Sequence, residues 1–281
     1  MSRFALAAVL AMVAFAANSV LCRMALRGTA IDPATFMSVR LVTGAVTLWV
    51  IVRLTRGRLG NAGDWGSAGA LLVYALPFSF AYVGLTAGTG ALLLFGAVQM
   101  VMIAAGLLKG ERFNALSAAG WLLAIAGVVV LVAPGVSAPP AREAALMVIA
   151  GVAWGVYSLR GRSSRDALRD TAGNFVRAAP GSLILSALLW AHHAWDPAGA
   201  LLAALSGSVA SGLGYAAWYT ALPRLSAISA ANLQLSVPVI AAFGGVLLFA
   251  EPISWRLALA AVMVLGGIAI ASNRRMAVGR A

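Results

Sequence analysis

The chain has 281 residues, of which 62% are hydrophobic and only 10% charged. Globular domains carry roughly 45–50% apolar and about 25% charged residues, so the polar material that covers a soluble surface is missing and the composition is that of an integral membrane protein. The net charge of +12 raises the question of nucleic acid, but the basic residues fall in short loops without an aromatic–basic groove, which argues against that partner.

A helix crosses the bilayer with about 20 predominantly apolar residues. Phe4–Cys22 carries no charge and predicts a first helix over 4–26. Asp32-Pro33 opens a second over 33–53, interrupted by Arg40. The charge-free run 65–108 is long enough for two spans. Its expected break is Leu85–Gly90 (LTAGTG), where two glycines permit a tight turn, giving helices over 66–86 and 89–108. Further spans are predicted over 114–134, 142–160, 171–191 (with Arg177 inside), 198–221, 226–249 and 255–273. The expectation is an all-α integral membrane protein of ten transmembrane helices, with no room left for a soluble domain.

Charge placement orients these helices. Arg3, Arg53, Arg56, Arg58, Lys109, Arg112, Arg160, Arg162, Arg165, Arg169, Arg224, Arg274, Arg275 and Arg280 fall on the side of the amino terminus. Only Arg23, Arg27, Arg142 and Arg256 fall on the other, and Arg40 and Arg177 lie within spans. Basic loops stay in the cytoplasm, so both termini are expected there.

The chain also repeats itself. A constant offset places Arg23 on Arg160, Arg40 on Arg177 and Gly44 on Gly181; a slightly longer one places Ala91 on Ala231, Leu93 on Leu233, Glu111 on Glu251 and Gly127 on Gly267. Asn114 and Ser254 follow the two glutamates at the same distance, each a cap residue for the next helix. The expected units are 1–137 and 138–281. Five helices are an odd number, so the second unit enters the membrane from the opposite side. Two inverted five-helix repeats are a recurring plan of secondary transporters, with the solute site near the midplane between them.

Other readings carry less. Cys22 is the only cysteine, so there is no intrachain disulfide. His192 and His193 are adjacent, and adjacent helical residues point apart; with Asp196 they form an interfacial helix end rather than a metal site. Arg3 and the apolar run after it imitate a signal peptide, whose removal would destroy the repeat. No nucleophile–base or metal constellation is present, so no enzyme, cofactor or metal is expected.

Tyr215–Ser226 (YAAWYTALPRLS), Ala230–Pro238 (AANLQLSVP) with its mid-helix Pro238, and Phe249–Pro252 (FAEP) resemble the second-repeat pattern of the drug/metabolite transporter superfamily, EamA type. Asp32-Pro33 through Arg40-Leu41 is similar to that family's second-helix start. The first repeat departs from the pattern at Val98, where a proline is typical. The resemblance implies export of metabolites or drugs from the bacterial cytoplasm through a central cavity by alternating access. Within the superfamily the chain is most similar to bacterial inner-membrane exporters of aromatic and other neutral amino acids, with broad lipophilic-compound export as the alternative within the superfamily and a membrane pore or sensor as the reading from another class.

Polar side chains in hydrocarbon are costly and face the bundle interior. The candidate substrate-binding residues are Asn18, Ser79, Tyr82, Gln99, Trp154, Tyr157, Tyr215, Trp218, Asn232 and Gln234, with Ser19, Ser158, Tyr219 and Ser236 beside them. Aromatic faces bury an apolar side chain or hold a cation, and amides meet a carboxylate or an ammonium. Trp65, Trp121, Trp190, Trp195 and Trp255 read as interfacial belt residues. Arg40, Arg177, Glu111 and Glu251 are expected to tie loops and helix ends, the other reading of the two arginines being a fixed positive charge near the cavity that attracts a carboxylate, and Pro238 is expected to bend its helix. No Asp or Glu falls in the middle of a span, which disfavours carboxylate-based proton coupling. The expected partners are a small solute and the lipid bilayer, with monomer and homodimer both open.

Overall fold

In the computed structural model, described over residues 3–108, 115–135, 137–161, 164–225 and 233–272, helices are the only regular elements among the described residues. They are α1 (Arg3–Gly28), α2 (Pro33–Thr55), α3 (Trp65–Ala81), α4 (Ala87–Leu108), α5 (Ala115–Val132), α6 (Ala141–Gly161) and α7 (Ala167–Leu188). After a short 3₁₀ turn come α8 (Pro197–Arg224), which contains a π-helical stretch Ser206–Leu213, α9 (Ser236–Phe249) and α10 (Trp255–Ser272). Residues 109–114 and 226–232, which hold Glu111, Asn114 and Asn232, lie outside the described residues.

Aspartate sets four helix starts. Asp32 accepts the N–H groups of Ala34 and Thr35, Asp64 that of Ser67, Asp166 that of Arg169 and Asp196 that of Gly199. Each satisfies donors that have no partner inside the helix, and Pro33 and Pro197 follow two of these caps at a position where no N–H is needed. Because Asp166 caps it, α7 begins at Ala167 rather than near 171.

The break between the third and fourth helices also differs from expectation. It lies at 82–86, ahead of the glycines, and Thr86 caps α4 by accepting the N–H of Thr89 at 3.3 Å. Gly88 and Gly90 are therefore inside α4, where they serve packing. A Cβ on Gly88 would stand 2.7 Å from that of Ala242, and one on Gly90 2.5 Å from the Tyr82 ring.

Six helices are long and apolar enough to cross a membrane: α1, α2, α4, α5, α6 and α8. α3, α9 and α10 are apolar but shorter. α7 carries Arg169, Asp170, Asn174 and Arg177 and is the least apolar of the long helices. The protein is an integral membrane protein on these spans.

Helix packing follows a two-fold scheme. α3 packs on α6 as α1 packs on α8; α4 packs on α6 as α1 packs on α9; α2 pairs with α7 and α5 with α10. Exchanging each helix for the one five places away reproduces the set. Of the pairs that map onto themselves, α2–α7 and α5–α10 are antiparallel. Along α2 and α7, Thr35 meets His193, Ser38 meets Ser182 and Gly44 meets Phe175. Along α5 and α10, Gly120 meets Ala271 while Gly127 meets Met263. An axis that reverses a helix direction runs across the helices, not along them.

Candidate functional site

A cavity of about 830 Å3 lies between α1, α3, α4, α6, α7 and α8. Its walls are aromatic. Trp154 of α6 stacks on Tyr157 with ring centres 5.2 Å apart and meets Tyr74 of α3 at 4.8 Å and Tyr215 of α8 at 5.8 Å. Phe15 of α1 stands edge-on to Tyr215 and Trp218. Into this apolar box project Asn18, Ser19, Gln99, Ser211 and Gln234. Such a chamber suits a solute with one apolar and one polar end.

Along one wall the hydroxyls form a chain. Tyr157 donates to Thr171 at 3.2 Å, Thr171 shares a hydrogen bond with Tyr219 at 3.2 Å, and Asn174 donates to Tyr157 at 3.4 Å. Asn18 accepts from Ser206, at the start of the π-helical stretch.

Of the residues proposed from sequence, Asn18, Gln99, Trp154, Tyr157, Tyr215, Trp218 and Gln234 line the cavity. Ser79 and Tyr82 do not. The Ser79 hydroxyl donates back to Ala75 of its own helix at 3.0 Å, and Tyr82 is fully buried beyond Phe78, against Gly90. Asn232 and Glu111 lie outside the described residues. Residues not anticipated are Phe15, Tyr74, Phe78, Thr171 and Asn174. A signal for three of them exists. Phe15 lies one turn before Asn18, and Tyr74 and Phe78 precede Tyr82 at helical spacing.

The cavity opens on the face that carries Arg56, Ser164, Arg165, Asp166, Asp170 and Leu225. There Arg56 and Asp166 approach to 3.8 Å. A polar crevice of about 570 Å3 adjoins this mouth, where Arg160 pairs with Asp64 at 2.7 Å. The Ser67 hydroxyl and N–H and the Arg160 guanidinium hold the Asp64 carboxyl down at about 2.

The opposite face is shut. α9 ends at Ala250, whose left-handed backbone (φ 51°) closes the helix and returns Glu251 toward α4. One Glu251 oxygen accepts from Arg23 at 2.9 Å and the other from the N–H of Ala87 at 2.9 Å, the first residue of α4. Arg23 also donates to the carbonyls of Tyr82 and Val83. One ion pair thus joins α1, the α3–α4 connection and the end of α9.

Arg40 and Arg177, equivalent in the sequence repeat, have different surroundings. Arg177 donates to the carbonyls of Ala62, Gly173 and Asn61 and ties α7 to the α2–α3 loop. Arg40 ties no loop. It is 2% exposed, its one hydrogen bond is to the Tyr74 hydroxyl at 2.9 Å, and Nε and Nη1 have no partner. Pro238 occupies the first turn of α9. Lacking an N–H, it leaves the Gln234 carbonyl without a helical donor, and the helix is interrupted at Leu235.

Comparison with known proteins accounts for both halves. The model of the EamA-like transporter family matches residues 2–133 and again 141–273. An uncharacterized protein of Pseudomonas aeruginosa is 52% identical over 99% of this chain and 97% of its own length. An uncharacterized transporter of Archaeoglobus fulgidus is 26% identical, covering 72% of this chain and 74% of its own. A solved crystal structure, 20% identical, shares the fold with a TM-score of 0.67 over 97% of this chain and 99% of its own. Since one family model fits the chain twice, end to end, the protein belongs to the EamA-like transporter family and carries small molecules across a membrane.

Proposed function

We propose that the protein is a secondary transporter exporting small amphipathic metabolites, foremost aromatic and other neutral amino acids. The reading places it in the bacterial inner membrane with both termini cytoplasmic and ten spans arranged as inverted repeats, 1–137 and 138–281. The solute enters the cavity from the side of Arg56 and Arg165, and alternating access delivers it to the face now shut by Glu251. The single observation that carries this reading is the aromatic cavity with amide groups, open at one face only. Its rings suit an aromatic side chain, and Asn18, Gln99 and Gln234 suit the polar end. The helix pattern supports exchange between two such shapes, because the main helix pairs of one half have counterparts in the other. Without a carboxylate in the middle of a span, movement follows the solute gradient or the solute's own charge.

The test is transport of labelled phenylalanine into everted vesicles or proteoliposomes. Replacing Trp154, Trp218 or Gln234 by Ala lowers uptake roughly 10-fold or more, as expected for a lost contact of about 1.4 kcal/mol or more. Replacing the exposed Trp65 or Trp195 changes it little. Equal effects at the two sets refute the cavity assignment. Strong accumulation driven by a pH gradient refutes the uncoupled mechanism, and inhibition by bulky cations but not by amino acids favours broad drug export.

A further inference from the structure

We propose that Arg40 is the receptor for a carboxylate group on the transported solute. A guanidinium removed from water is expensive unless its charge is paired and its donors are satisfied. Arg40 has no ion-pair partner among the described residues, and two of its three nitrogens lack a hydrogen bond. Other arginines that reach into the helical body are anchored: Arg23 on Glu251 and two carbonyls, Arg177 on three carbonyls, Arg256 on two. Arg40 alone among these four retains its binding capacity.

Its position says what that capacity faces. The guanidinium carbon lies 5.2 Å from the Tyr74 ring centre and 4.8 Å from that of Phe78, and both rings form the cavity wall. The charge is therefore one side-chain layer from the solute, with no carboxylate among the described residues paired to it. Tyr74 is both the wall and the guanidinium's only hydrogen-bond partner, so a carboxylate that displaces the phenol gains a charge-assisted bond. Ser211, on the π-helical stretch, adds a buried cavity-lining hydroxyl that also lacks a partner. A fixed positive charge beside an aromatic chamber selects aromatic carboxylates over the corresponding alcohols and amines.

This rests on the transport reading for its meaning, so the test is equilibrium binding, which stands or falls separately. The purified full chain is titrated with 3-phenylpropionate and with 3-phenylpropan-1-ol, followed by tryptophan fluorescence, since Trp154 and Trp218 line the cavity. The wild type binds the carboxylate roughly 10- to 100-fold more tightly, the range of one charged hydrogen bond. Arg40→Gln abolishes that preference and leaves the alcohol's affinity unchanged; Arg40→Lys keeps part of it. Arg56→Gln and Arg165→Gln, at the mouth, keep it. Arg40→Gln also does not lower Tm, because the charge it removes is uncompensated. A wild type without preference overturns the proposal whatever the variants do. So does Arg40→Gln that retains the preference, or one that loses both ligands and melts early, as a structural arginine would. If carboxylate binding depends on Arg40 but no aromatic amino acid is transported, the transport reading fails and the receptor remains.

Discussion

At Asp64 one side chain caps α3, accepts a hydroxyl from Ser67 and pairs with Arg160. Replacing it with Ala removes the cap and costs about 1 kcal/mol, read as a lower Tm. The pH dependence has a definite sign. The carboxyl is held at about 2, below its ordinary value near 4, so its stabilising contribution is complete above that ordinary value and disappears as pH falls toward 2. The Tm gap between wild type and Asp64→Ala is thus constant from neutrality to about pH 4 and narrows below it; a constant gap down to pH 2 removes Asp64 as its source. Individual site residues were legible in the sequence where a polar or large aromatic group is anomalous in hydrocarbon, as at Asn18, Gln99, Trp154 and Trp218. Phe15 and Phe78 are legible only through their helical spacing to Asn18 and Tyr82, because a phenylalanine in a membrane helix is by itself ordinary whichever way it faces. Arg40 is ambiguous in the sequence for a different reason. Equivalence with Arg177 implied a shared role, but only Arg177 has loop carbonyls within reach.

Helices themselves were more legible than their junctions, since charge-free runs of about 20 residues leave few alternatives. The α3–α4 break was misplaced because glycine serves two purposes, turning and close packing, and composition does not separate them. Here Thr86 supplies the helix start and the glycines supply clearance. The same ambiguity gives a test in α10, where two neighbouring glycines have opposite surroundings. A Cβ on Gly267 would lie 2.5 Å from the carbonyl oxygen of Gly120 and 2.6 Å from the nitrogen of Ala124, both backbone atoms that cannot turn aside. A Cβ on Gly266 meets nothing within 4 Å. Gly267→Ala therefore pushes α10 from α5 and destabilises by about 1–3 kcal/mol. Gly266→Ala stabilises by up to about 1 kcal/mol through helix propensity. Parallel melting curves check both, and shifts of the same sign refute the close α5–α10 contact at Gly267.

On the scale of the molecule, a nearly symmetric set of helix contacts holds an asymmetric shape, open at one face and closed at the other. If the two halves exchange shapes, as proposed above, something must bias two arrangements that the symmetry makes similar in energy. The Arg23–Glu251 pair is placed to do so, because it joins three segments that have to part for the closed face to open. The expected counterpart of Glu251 in the first half, Glu111, is outside the described residues. Glu251→Gln keeps the size of the side chain but weakens a charged hydrogen bond worth about 1.5–3 kcal/mol, which shifts a two-state balance about 10- to 100-fold. Hydrogen exchange resolves the two faces separately. In this variant, peptides covering 82–90 exchange at least about 10-fold faster, since the Ala87 amide loses its carboxylate. If the halves exchange shapes, peptides covering 164–170 slow in the same sample as the mouth closes. Faster exchange at both faces would mean that the pair merely stabilises the fold, whereas opposite changes tie its rupture to closure of the far side.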